Sequence, residues 1–359
     1  MRNNKLDIMK GIAIILMVMG HSGFFFTSFI YLFHMAVFFM ISGYLFCPEK
    51  NTDLGGLCKY ILRKIKGIWL PSFVWSTVFI CANNFLINIG VYANQSEEIL
   101  GSQVDAHVYM SVSETVREVI KALFMVGRTE LGGAFWFFTT LFGVAILCAI
   151  VDFMLSKFIE NEKRKDIVHG ILSGVFCLLG WSCNFLNISQ LTIPVVFSCY
   201  ILYFSGYMIK KYMDQKLTHP LWVVSSLVIL VVLYLIGVRY NIGLNRFVNP
   251  ICLLLTSFSG WILLSWLAKV IENKKIASLI KIIGQNTLPI VIHHFWCLKF
   301  VHLVQIWIYK YPRRYLAAFP YLNGDGLWWI CYTVVGVAVP VLLQICVKKI
   351  IHKRKEETR

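Results

Sequence analysis

Lys10, His21, His34, His293, His294, Lys299 and His302 are ionisable side chains set within long apolar stretches. Ionisable groups in hydrocarbon are costly and ordinarily face a cavity or a partner. Lys10 and His21 are eleven residues apart. That is three helical turns plus about 20°, so on one helix they share a face. Asp7, three residues before Lys10, is spaced to pair with it. His34 follows a short turn, and at about 1.5 Å per residue its imidazole reaches a depth comparable to that of His21 on an antiparallel neighbour. The chemistry this suits is proton transfer. Neutral imidazole takes a proton from a hydroxyl and returns it, worth about 10²–10⁴ in rate. For any one of these histidines, interhelical hydrogen bonding is the plain alternative. No Ser-His-Asp spacing, glycine-rich phosphate loop or metal cluster competes. His293 and His294 diverge by about 100° on a helix and do not readily chelate one metal. Lys299 and His302, three apart, share a face and suit a polar bundle interior.

The elements that must hold these groups are membrane helices. The 359 residues are 58% hydrophobic and 14% charged, against roughly 45–50% and 25% in ordinary soluble domains. Apolar runs at 9–28, 30–47, 68–90, 134–156, 167–186, 193–209, 221–238, 248–268, 286–309 and 327–347 each approach the length a tilted helix needs to cross a bilayer. The first is read as a retained helix rather than a signal peptide, because Lys10 interrupts it and no small-residue cleavage site follows. The fold class expected is therefore an all-α bundle of about ten transmembrane helices, forming a single transmembrane domain over 1–359 with no appended soluble domain.

Charge placement gives an independent orientation. Of the 34 Lys and Arg, 25 fall in segments 1–10, 48–67, 157–166, 210–220, 269–285 and 348–359; only 8 fall in 91–133, 187–192, 239–247 and 310–326. The positive-inside rule puts both termini in the cytoplasm. The net charge of +16 thus orients helices and attracts anionic lipid or ligands, and a nucleic-acid partner is not needed to explain it. The 11 cysteines lie mostly in spans without a C-x-x-C pair, as small packing residues do. The polar stretch 91–133 turns helical in its apolar spacing at Val116, Val119, Ile120, Leu123 and Phe124. It reads either as a surface-lying amphipathic helix or as a solvated loop.

Leu6-Asp7-Ile8-Met9-Lys10-Gly11-Ile12-Ala13-Ile14, Gly20-His21-Ser22 and the run from Phe33-His34-Met35 through Ser42-Gly43-Tyr44 together resemble acyltransferase family 3. The resemblance is nearest to its fucose-acetylase-like branch of glycan O-acetyltransferases. It continues at Arg63-Lys64-Ile65-Lys66 with Pro71, at Phe135-Trp136-Phe137-Phe138, and from Ile283-Gly284-Gln285-Asn286 to His294. It implies a ten-helix, multi-pass enzyme of the bacterial cytoplasmic (inner) membrane with no bound cofactor. Such an enzyme takes an acyl group, expected to be acetyl, from cytoplasmic acyl-CoA (acetyl-CoA) and delivers it to a hydroxyl of a surface glycan or lipid-linked sugar.

The family pattern of a basic residue, ten residues and a histidine falls on Lys10 and His21. Lysine where many members have arginine keeps the charge but loses the bidentate fork. The cytoplasmic Arg-x-x-Arg motif likewise stands as Arg63-x-x-Lys66. His21 is the expected general base, with His34 as its partner or the group orienting the acceptor. Lys10, held by Asp7, is expected to meet the pantetheine or phosphate end of the donor, and the cluster Arg63, Lys64 and Lys66 its phosphates. For that cluster, topology-setting charge is the plain alternative. Trp136 is a supporting residue or an interfacial anchor, and His294 a supporting residue or core packing. Some family members carry an extracytoplasmic hydrolase-like domain. Without one, the membrane domain completes the transfer alone or with a separate envelope partner protein. The rival readings are a transporter or flippase for a polar lipid or sugar precursor, whose usual paired halves are not found here, and a non-catalytic envelope partner.

Overall fold

The computed structural model describes residues 3–50, 53–100, 102–127, 129–186, 188, 192–213 and 219–357. The expected outer turn at 187–192 and the middle of the basic segment 210–220 lie mostly outside the described residues. The chain is mostly helical. In order run α1 (Asn4–Gly20), α2 (Thr27–Tyr31), α3 (His34–Tyr44), α4 (Leu54–Lys64), α5 (Leu70–Cys81), α6 (Asn83–Asn88) and α7 (Val112–Leu123). Then follow α8 (Trp136–Phe158), α9 (Glu162–Ser182), α10 (Thr192–Met208), α11 (Pro220–Leu235), α12 (Pro250–Ile271), α13 (Ile276–Gln285), α14 (Thr287–Tyr309) and α15 (Trp328–Glu357). One antiparallel hairpin, β1 (Glu97–Ile99) with β2 (Ser102–Val104), interrupts the otherwise all-α pattern, pairing Glu97 with Val104.

Among the described residues, six stretches are long and apolar enough to cross a membrane: Thr27–Tyr44, Gly133–Phe158, Thr192–Met213, Pro250–Ile271, Thr287–Tyr309 and Trp328–Ile351. The other four expected crossings are helical too, each with a physical reason for falling short. α1 and α11 have 17 and 16 residues. The run at 68–90 is broken between α5 and α6. The first turns of α9 carry Glu162, Lys163, Arg164, Lys165 and Asp166.

The chain forms two compact units, each assembled from three separate stretches of sequence. The first comprises Met1–Ala13, Ser28–Pro71 and Trp136–Ala277; the second comprises Ile14–Thr27, Ser72–Phe135 and Ser278–Arg359. In the first, α10 packs along both α3 and α9, and α11 packs on α12. Gly43 of α3 and Gly206 of α10 make that contact possible. A Cβ at Gly43 would run into the Tyr203 carbonyl, and one at Gly206 into that of Met40. This is the small-residue packing that lets membrane helices touch backbone to backbone.

In the second unit, α14 packs along α15 and against the short turn Arg313–Ala317. Ile99 and Val104 of the hairpin join Ala93, Ala317, Ala318 and Leu322 in a small core. The amphipathic helix read around 116–124 is present as α7. Its start is fixed by a capping box, with Ser111 and Glu114 satisfying each other's backbone N–H. Val112, Val116, Ile120 and Phe124 are exposed on it.

Candidate active site

α1 ends at Gly20, so His21 sits in the turn that follows rather than inside the helix, its N–H bonded to the Val18 carbonyl at 3.0 Å. The spacing from Lys10 predicts a shared helical face, and that inference stops one residue short of His21. The turn leaves His21 half-buried as a residue. Its neighbour Ser22 is fully buried, donates to the Val18 carbonyl at 2.7 Å and accepts from Thr333 of α15 at 3.2 Å. These bonds tie the turn to the far end of the sequence.

The ring facing His21 within this unit is His294 of α14. The two centroids are 5.5 Å apart with 30° between planes. Phe295 touches both, at 4.9 Å from His21 and 4.0 Å from His294. His294 is fully buried. Its Nδ1 lies 2.9 Å from the Ile290 carbonyl and 3.1 Å from that of Val291. A carbonyl oxygen can only accept, so Nδ1 carries the hydrogen and Nε2 is left with a bare lone pair. Nε2 has no hydrogen-bond partner among the described residues.

Lys299 and His302 do line a polar interior, as their spacing predicts. The Lys299 ammonium has four backbone carbonyls within reach: Ala318 at 2.8 Å, Leu316 at 3.1 Å, Ala317 at 3.3 Å and Val91 at 3.4 Å. With three hydrogens it serves at most three at once. Glu130 stands 3.6 Å away as an ion-pair partner and also meets His107 at 3.2 Å. His302 Nδ1 faces the Leu316 carbonyl at 3.4 Å. His293, one residue from His294, instead accepts from Trp296 and packs edge-on to Trp75.

The other predicted residues belong to the first unit. The Asp7 carboxylate is buried and lies 3.7 Å from Lys10, the pair that their spacing anticipates. His34 opens α3, donates from Nδ1 to the Ile30 carbonyl at 2.9 Å and packs against Tyr31. Trp136 opens α8 and covers Gly243, where a Cβ would fall within 2.7 Å of the indole. Arg63 and Lys64 close α4 and flank the Tyr60 ring at 5.9 and 5.1 Å; Tyr60 in turn bonds Tyr203 at 3.0 Å. Burial, with the Arg63 charge beside it, lowers the Lys64 ammonium to about 8. Lys66 follows on the short π-helical stretch Ile65–Trp69 and is exposed.

A partly buried ionic network in this unit involves none of the residues that the apolar-run list singles out. Lys165 lies 3.6 Å from Asp152 and 3.2 Å from Glu162. Lys211 bridges Glu162 at 2.9 Å and Asp166 at 2.7 Å, and His169 meets the Tyr200 hydroxyl at 2.6 Å. The signal was available. Asp152 and His169 both interrupt apolar runs, and Glu162, Lys165, Asp166 and His169 recur at the i, i+3, i+4, i+7 spacing of one helix face. No group of three or more His, Cys, Asp and Glu among the described residues is arranged to hold a metal ion.

Residues 3–345 match the family model of the acyltransferase domain. No curated protein and no solved structure matches the chain.

Proposed function

This chain belongs to the acyltransferase domain family, and on that premise we propose that it moves an acyl group, acetyl first among them, from cytoplasmic acyl-CoA to a hydroxyl of a surface glycan or lipid-linked sugar. The observation that carries the reading is His21: a half-buried histidine on a turn beside a bare imidazole nitrogen, within an apolar helical unit. A neutral imidazole there is suited to removing a hydroxyl proton.

In the proposed step the acceptor hydroxyl gives its proton to His21 while its oxygen attacks the thioester carbon. The carbon–sulfur bond breaks, CoA leaves as the thiolate, and that thiolate takes the proton back from His21. Both proton transfers balance within the site, so no oxidant, metal or further cofactor is needed.

The remaining roles follow the charge pattern. Ten crossings with both termini in the cytoplasm of a bacterial inner membrane put Lys10, paired with Asp7, and Arg63, Lys64 and Lys66 on the side where acyl-CoA is found. Their cations suit the donor's phosphates. His34 orients the acceptor, and Trp136 and His294 support the site. A separate envelope protein is a candidate partner for onward transfer. The transporter reading has no observation in its favour.

Mass spectrometry of envelope glycans from cells with and without the protein tests the proposal. A mass difference of one acyl group, restored by the wild-type protein but not by His21→Ala, supports it. Identical glycan masses in a strain lacking the protein contradict it.

A further inference from the structure

His294 is held in a way that packing alone does not require. Its Cβ side is fixed by Gly336 of α15, where an added Cβ would come within 2.7 Å of Val18 and 3.7 Å of the His294 Cβ. Its Nδ1–H is committed to two helix carbonyls. That leaves Nε2 as an acceptor of fixed direction, fully buried and without a hydrogen-bond partner among the described residues. Burying such an atom unsatisfied costs about 1–3 kcal/mol, and a Leu or Phe at this position would avoid the cost. Native proteins usually satisfy buried polar groups, so an exception calls for an explanation.

The imidazole packed against this ring is His21, its centroid 5.5 Å away and its plane inclined by 30°. As residues, His21 is half-buried on its turn and His294 is fully buried in its helix. We propose that His294 is a positioning residue for His21, its bare Nε2 accepting the second N–H of the imidazolium that His21 becomes when it removes the acceptor's proton. The inference rests on the general-base reading of His21.

The proton count closes. The hydroxyl proton goes to one nitrogen of His21, and the hydrogen on the other nitrogen is shared with His294 without leaving His21. The first proton then passes to the CoA thiolate, and both histidines return to neutrality. At rest Nε2 of His294 makes no hydrogen bond within the described residues. A turn of the His21 side chain closes this bond as charge develops, the tightening that catalytic hydrogen bonds commonly undergo between the resting and reacting states. Phe295, wedged against both rings, limits how else His21 can turn.

The test is steady-state hydrolysis of labelled acetyl-CoA, with water as the acceptor, by the full-length protein in liposomes. His294→Phe keeps the volume but cannot accept. It should lower kcat about 100-fold, the lower end of general-base contributions, while KM for acetyl-CoA stays within about twofold. His294→Gln offers an amide oxygen to His21 and an amide N–H to the helix carbonyls, and should recover at least about tenfold of that loss.

Full activity in His294→Phe, or a Gln variant no better than the Phe variant, overturns the proposal. If the Phe variant does not fold, His294→Met against His294→Gln makes the same comparison. His21→Ala separates the two levels. Turnover surviving in His21→Ala removes the base reading itself. A dead His21→Ala beside a fully active His294→Phe removes only the role of His294.

Discussion

Lys299 of α14 and Glu130, far apart in the sequence, stand 3.6 Å apart with both side chains almost wholly buried. The lysine also gathers backbone carbonyls from Val91 and from 316–318. It therefore pins three separate segments of its unit to α14. Buried backbone carbonyls at such turns are costly to leave unpaired, and the ammonium supplies donors to them.

Removing that ammonium leaves Glu130 charged and buried and several carbonyls without their donor. Lys299→Met should destabilise the protein by about 3–5 kcal/mol, the range for breaking one side of a buried pair. Glu130→Gln, which leaves the carbonyls served, should cost about 1–3 kcal/mol. The double variant should cost less than the sum, because the stranded carboxylate is gone. Denaturant unfolding in a fixed detergent measures all three, and strict additivity would contradict the pairing.

Gly43 and Gly206 are the points where α3 and α10 touch backbone to backbone. Gly206→Ala puts a methyl where the Met40 carbonyl stands, so one helix must shift. A loss of about 1–3 kcal/mol, or more, is expected from such overpacking. Gly174, with open space around its Cβ position, is the control; Gly174→Ala on the same helical unit should be neutral or slightly stabilising. Thermal unfolding of the two variants side by side separates them.

Lys64 gives the proposed donor cluster a pH dependence whose sign is fixed. Its ammonium, lowered to about 8 by burial and then by Arg63, is a cation below that pH and neutral above it. Attraction for a phosphate is therefore present at pH 7 and lost as pH rises through about 8. Affinity for CoA, measured by calorimetry, should fall about two- to fivefold between pH 7 and pH 9, the scale of one partly exposed ion pair. Lys64→Arg, charged throughout, should flatten the profile. A pH-independent wild type would remove Lys64 from the donor site.

The charge network around α9 was hidden in plain sequence. Asp152 and His169 lie within apolar runs, and their partners become visible only when α8, α9 and α10 pack together. Lys165→Met should destabilise strongly, by about 3–5 kcal/mol, because Asp152 is buried beside it. Lys211→Met should cost less, because Lys211 is more exposed and the Glu162 carboxylate it leaves is mostly solvated. Chemical denaturation ranks the two, and equal costs would contradict this account.

What the sequence made legible follows periodicity and charge. The apolar runs mark helices, and the i, i+3 spacing of Asp7 and Lys10 anticipates their ion pair. What stayed hidden depends on contacts between distant segments. The contact of His21 with His294 inside its unit joins residues far apart in the sequence, beyond the reach of local spacing. Glu130 reads as one more acid of a polar loop, because nothing within its neighbourhood reveals Lys299. The end of α1 at Gly20 is a further case: a smooth apolar run continues past it, and the stop comes from the turn bonded to Val18 and Thr333.

The central claim is that His21 is the base of an acyl transfer. The most direct measurement is release of CoA from labelled acetyl-CoA by purified wild-type and His21→Ala protein in liposomes, with unfolding midpoints recorded on the same samples. The account predicts turnover by the wild type and a loss of about 100-fold or more in the variant, at an unchanged midpoint. Undiminished turnover by a folded His21→Ala protein would contradict it.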